Sequence, residues 1–125
     1  MVRCLFILMI IGSPCLGQVH EYECQEFEVS YQNHLEDFKN YRKTTYITLD
    51  LTDKKLSFTQ KNAVGNWKMT SYPLRSFRVD EDKNGIAIIK SANLDTVLIN
   101  HFKHTITFKF SSGAYWEFYD VTKIR

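Results

Sequence analysis

The chain has 125 residues, a formal net charge of +2 and 44% hydrophobic residues. That length gives one domain with a core of its own. A near-neutral balance with no basic run gives no electrostatic footprint for nucleic acid, and no partner of that class is expected.

The first residues read as a processing segment. Arg3 supplies a short positive region, and Leu5 to Ile11 is an unbroken apolar run. That run is far too short for the roughly 20 apolar residues that cross a bilayer. It suits a secretory signal peptide, whose apolar region needs only about 7–15 residues. Pro14 breaks the helix before the small residue Gly17. The expected cut follows Gly17, so residues 1–17 are a signal peptide and residues 18–125 a single β-rich domain. Pro14 directly before Cys15 does not fit the small residue that a lipoprotein signal requires. A secreted or periplasmic protein without a transmembrane span is the expectation.

Of three cysteines, Cys4 and Cys15 lie in that segment and Cys24 remains. A lone Cys in an exported domain is a buried small hydrophobe or a bridge between two chains. The mature protein is therefore expected to be a monomer, or a dimer through Cys24. No Asn-x-Ser/Thr acceptor occurs in the chain.

The remainder alternates apolar and polar residues in short runs between turn residues, the pattern of antiparallel strands. Phe27, Val29 and Tyr31 share one face. Tyr22 and Cys24 have the opposite parity, and a bulge near Gln25 would bring them to the same side. Residues 32–44 are polar and irregular, a long loop or a helical turn with Leu35 and Phe38 spaced i, i+3. Ile47, Leu49 and Leu51 lead through Thr52-Asp53-Lys54 to Leu56 and Phe58, a hairpin. Trp67 and Met69 open another strand, which Pro73 limits or marks as an edge. Asp80 to Gly85 is a turn, with Asn84-Gly85 suited to φ > 0. Ile86 to Ile89 is apolar on both parities, as a strand buried on both faces would be. Val97, Ile99, then His104 to Phe110, then Tyr115 to Val121 complete the set. The expected class is all-β, a small antiparallel barrel or two-sheet sandwich of about eight strands with at most one short helix.

Sites of chemistry are sparse. His101 and His104 form an H-x-x-H at a hairpin tip, but a metal site needs three or four ligands and no third stands nearby. Asp80, Glu81 and Asp82 suggest a Ca²⁺ loop, yet Ser91 stands where the closing Glu belongs. Glu26 and Glu28 alternate with Phe27 and Val29 and read as a solvated face. Arg42-Lys43 and Lys54-Lys55 read as solvated turns. There is no nucleophile elbow, phosphate loop or zinc-protease motif. No catalytic residue, metal or cofactor is assigned, and an enzyme is not expected.

The aromatic residues carry more. Tyr115, Glu117, Tyr119 and Val121 face one way in the last strand, and Trp116, Phe118 and Asp120 the other. Both faces cannot be core in a one-sided sheet. The second lines a ligand cavity, forms an exposed patch for a partner, or lies under the 32–44 loop. The candidate ligand- or partner-binding residues are Trp67, Tyr72, Tyr115, Trp116 and Phe118.

Tyr22-Glu23-Cys24 followed by Phe27 to Tyr31 resembles the opening of the C-type lysozyme-inhibitor family of small periplasmic β-barrels. Ser112-Gly113-Ala114-Tyr115 resembles that family's Ser-Gly-x-x-Tyr loop with one residue fewer. Here the loop precedes the last strand instead of lying mid-chain, and no second Cys stands to pair with Cys24. Gly65-Asn66-Trp67 matches the lipocalin Gly-x-Trp, but mid-chain instead of before the first strand. The sequence thus reads as an exported, non-enzymatic binding module that takes a protein partner, inhibitor- or immunity-like, through an aromatic surface. The alternative is a small barrel carrying an apolar ligand.

Overall fold

The computed structural model describes residues 19–31 and 34–125. The proposed signal peptide, with Cys4 and Cys15, lies outside the described residues. Nine strands follow in order: β1 (Val19–Tyr31), β2 (His34–Asp50), β3 (Lys55–Lys61), β4 (Trp67–Val79), β5 (Gly85–Ile89), β6 (Leu94–Asn100), β7 (Thr105–Phe110), β8 (Ala114–Tyr119) and β9 (Thr122–Lys123). Each of β1 to β7 pairs antiparallel with the next. β8 then pairs with β1, so the sheet closes on itself, and β9 adds to the first half of β1. The fold is a closed eight-stranded antiparallel barrel with one extra short strand. Closure removes most of the unpaired edges that an open sheet would leave.

Three register shifts fit the sequence to a single interior. One between Cys24 and Glu26 brings Tyr22, Cys24 and Phe27 to the same buried side, as the parity change in β1 requires. A second in β6 does the same for Leu94 and Val97. The third, in β4, puts Leu74 and Phe77 on one side just after Pro73. Pro73 stands where β4 leaves β3 for β5. It pairs with Lys55, and its carbonyl accepts the Lys90 amide at 2.9 Å. A residue without an N–H costs no ladder bond at such a changeover.

Facing positions stack in layers along the axis. Leu49, Leu56 and Tyr72 stand opposite one another, then Ile47, Phe58 and Thr70, then Thr45, Gln60 and Lys68. The inner wall therefore grades from apolar to polar toward the end that carries the β3–β4 turn. At the other end the chain terminus is tied down. Arg125 contacts the Glu21 carboxylate at 2.9 Å, and the Glu21 amide donates to the Arg125 carbonyl at 2.9 Å.

Four expectations need correction. Residues 34–44 are neither loop nor helical turn but the first part of β2, and there is no helix among the described residues. The alternation is hidden because this stretch runs past the end of β3. Over residues 39–44 it is paired to β1 alone, and Lys39 to Lys43 are all exposed. Arg42 and Lys43 accordingly sit in a strand, not in a turn. Ile86 and Ile88 are half-buried on the outer wall, while Ala87 and Ile89 alone face the core. In the β4–β5 turn the left-handed residue is Lys83, at φ 68°, and not Asn84 or Gly85. The Asp80 carboxylate accepts the Asp82 and Asn84 amides, both at 2.9 Å, which fixes that turn locally.

Candidate functional site

The last strand resolves the two-faced aromatic pattern. Trp116 and Phe118 point inward, opposite Phe108 and Ile106 on β7 and opposite Val29 and Phe27 on β1. Phe118 is fully buried, and Trp116 is partly buried against the core. An exposed Trp116/Phe118 patch is therefore ruled out, because barrel closure turns that face inside. Phe118 packs on Phe27 and Phe108 with ring centroids 4.9 and 5.2 Å apart. Phe58 joins Phe108 at 5.5 Å and Trp116 at 5.9 Å, and stacks with Tyr72 at 6.4 Å. Aromatic pairs at these separations add roughly 0.5–1.5 kcal/mol each beyond the area they bury. Of the five candidate residues, Tyr72, Trp116 and Phe118 thus meet in one interior cluster.

Trp67 and Tyr115 lie elsewhere, on the outer wall. Tyr115 is half-buried on β8 with the Lys109 ammonium 5.9 Å from its ring. Trp67, at the start of β4, is 49% exposed. Its ring stands 5.6 Å from that of Tyr46, itself 36% exposed, and the Lys61 ammonium lies 5.4 Å from it. Met69, on the same outward parity of β4, is 63% exposed. Three large side chains on one outer patch exceed the scattered surface apolar residues of an ordinary domain.

This patch borders a groove of about 480 Å³. β2 forms one side with Arg42, Lys43 and Thr44, and the β3–β4 hairpin the other with Lys61, Asn62 and Trp67. Glu23, Gln25 and Tyr46 complete it. The groove exists because β3 ends at Lys61 while β2 continues past it, so the seam between the two strands opens. Gln60 Nε2 donates to Thr45 Oγ1 at 2.9 Å at the last paired level, and Thr44 Oγ1 bonds Gln25 Oε1 at 2.6 Å beside the bulge. Lys43, Lys61 and Asn62 also line a smaller cleft of about 160 Å³ over Phe58 at the barrel mouth. Among the described residues, Arg42, Lys43, Lys61 and Lys68 form no ion pair. The groove thus joins an aromatic pair to several cations that form no ion pair and to the amides of Asn62 and Gln25.

Sequence reasoning placed Trp67 among its candidates but missed Tyr46, Arg42, Lys43 and Lys61. Tyr46 carried a signal: it is a large aromatic on the polar parity between Thr45 and Ile47. The cations carried none, since their convergence depends on where β3 stops.

The remaining reactive groups are quiet. Cys24 is 2% exposed, and burial pushes its thiol up to about 12, against hydrogen bonds to Thr45 and the Glu26 backbone that pull it down. Such a thiol is no nucleophile. It faces the barrel interior. His101 and His104 sit on the β6–β7 turn and share a cleft of about 40 Å³ with Tyr22, Val121 and Lys123. No group of three or more His, Cys, Asp or Glu among the described residues stands close enough to hold a metal. On the outer wall of β8, beside the β2 overhang, burial and the carboxylates of Glu28, Glu26 and Glu117 raise Tyr119 to about 12, while its hydroxyl accepts from Asn40 Nδ2 at 2.6 Å. No helix among the described residues is long and apolar enough to cross a membrane. Comparison with protein families, with curated proteins and with solved structures returns no match for this chain.

Proposed function

We propose that the protein is a non-enzymatic binding module, exported as its first residues suggest, that engages a protein partner through the outer groove between β2 and the β3–β4 hairpin. The observation that carries this reading is the exposed Tyr46–Trp67 pair on the groove wall, with Arg42 on the β2 side of the same groove. Trp, Tyr and Arg are the side chains that supply most binding free energy at protein interfaces.

The carrier alternative has less behind it. An apolar cargo would occupy the barrel interior, and that space holds Phe27, Phe58, Phe108, Trp116 and Phe118 in mutual ring contact. Selection of a displayed peptide library against the folded protein tests the choice. Binders should be lost on Trp67→Ala and on Tyr46→Ala with the fold intact. An apolar small molecule held at one per chain, indifferent to both substitutions, would replace this reading with the carrier.

A further inference from the structure

We infer that the groove takes an acidic, extended peptide segment, which pairs as an added strand with the open edge of β2. The inference rests on the reading of the groove as a protein-binding site and specifies what enters it.

Two independent observations carry it. The first is backbone geometry. β2 pairs with β1 through Lys39, Asn40, Tyr41 and Arg42, but its pairing with β3 begins only at Thr45. Over Lys39–Thr44, no strand among the described residues covers the other edge. An edge of this kind is a template for a further strand, and main-chain bonds supply affinity when a peptide adds to it. The groove runs along this edge, with Arg42, Lys43 and Thr44 as its β2 wall. At about 3.3 Å per residue the edge accommodates a strand of roughly five residues.

The second is charge. Lys39, Arg42 and Lys43 stand on the edge itself, Lys61 faces them across the groove, and Lys68 points into the barrel mouth alongside. Glu23 is the one carboxylate of the groove lining. Cations at an edge ordinarily discourage pairing with another copy of the same chain. The same cations favour a strand that brings carboxylates, and its aromatic or apolar side chains would rest on Tyr46 and Trp67. A nucleic acid would use the charge but has no use for an open β edge, which makes the peptide the better fit.

The test uses an end-capped, dye-labelled hexapeptide, Glu-Thr-Glu-Tyr-Glu-Thr, titrated by fluorescence anisotropy. Controls are its Lys-for-Glu counterpart and a version N-methylated at alternate backbone amides, made in both phases. The acidic peptide should bind, weaken with added salt, and weaken at least tenfold with Lys43→Glu/Lys61→Glu. At least one N-methylated phase should lose at least tenfold, and the basic peptide should not bind. Equal binding of both N-methylated phases overturns the added strand. Equal binding of the basic peptide, or an oligothymidylate that binds more tightly than the acidic peptide, overturns the acidic partner. No binding at about millimolar acidic peptide, where library-selected binders still depend on Trp67, overturns this inference and leaves the groove reading standing. If those binders ignore Trp67 as well, both fall together.

Discussion

Phe58 on β3 and Trp116 on β8 meet edge-on across the barrel, with ring centroids 5.9 Å apart and planes at 76°. The two strands are far apart in the sheet order, so the contact exists only because the sheet closes. It joins the packing of the core to the topology. Phe58→Ala removes a ring that also touches Phe108 and Tyr72. The expected loss is about 3–5 kcal/mol, the range for emptying a buried aromatic site. Trp67→Ala, on the outer wall, should stay within about 0.5 kcal/mol. Urea unfolding of both variants checks the pair. Equal effects would mean that the interior and exterior are assigned to the wrong residues.

The two tryptophans should also separate spectroscopically. Trp116 packs among Phe27, Phe108 and Phe110, with the last at 5.0 Å, whereas Trp67 is half open to solvent. In Trp67→Phe, the remaining emission should be blue-shifted and weakly quenched by acrylamide. In Trp116→Phe, it should be red-shifted and strongly quenched. A red-shifted, easily quenched Trp67→Phe protein would show that the barrel mouth is open down to Trp116.

Much of the barrel was legible in the sequence, and particular residues show why. The alternation of Ile47, Leu49 and Leu51 reports one dry face, so the β2–β3 hairpin could be read directly. The parity switch between Cys24 and Phe27 demanded a bulge, and β1 has a register shift there. Trp116 and Phe118 could not be oriented, because both parities of β8 are aromatic and only closure decides between them. Residues 39–44 were illegible for the opposite reason: Lys39 to Lys43 are all exposed where β2 overhangs β3, so no buried parity is written there. The groove inherits that blindness, since its walls come from β2, from the end of β3 and from the start of β4.

Cys24 should be inert in the folded protein. At pH 8 the thiol should resist a maleimide until denaturant is added, and the protein should run as a monomer without reductant. The raised thiol also has a pH signature. Below about pH 9, its ordinary value, the thiol is protonated whether the chain is folded or not, and its contribution is fully present. Above that, the unfolded chain releases the proton while the folded one holds it to about 12. Stability should therefore fall as pH rises through this window. Tyr119, Tyr22 and Tyr72 are also raised and add to the fall at its upper end. The difference between wild type and Cys24→Ala isolates the thiol, and the variant should show the shallower decline. Parallel declines would place Cys24 in water.

Gly85 opens β5 opposite Ile99 and Val79, and a Cβ there would meet the Phe77 ring at 3.0 and 3.1 Å. The glycine is thus required by packing and not by φ. Gly85→Ala should cost about 1–3 kcal/mol, as overpacking does in a filled interior. Phe77→Leu in the same background should recover part of it, because the obstacle is that ring. Gly65 gives the contrast. Nothing lies within 4 Å of its added Cβ, but its φ is +88°. Gly65→Ala should cost about 1–2 kcal/mol from backbone strain alone, and Phe77→Leu should leave that cost unchanged. A double-mutant cycle read by urea denaturation decides. Coupling of Phe77 to Gly85 but not to Gly65 supports the packing account, and equal coupling to both removes it.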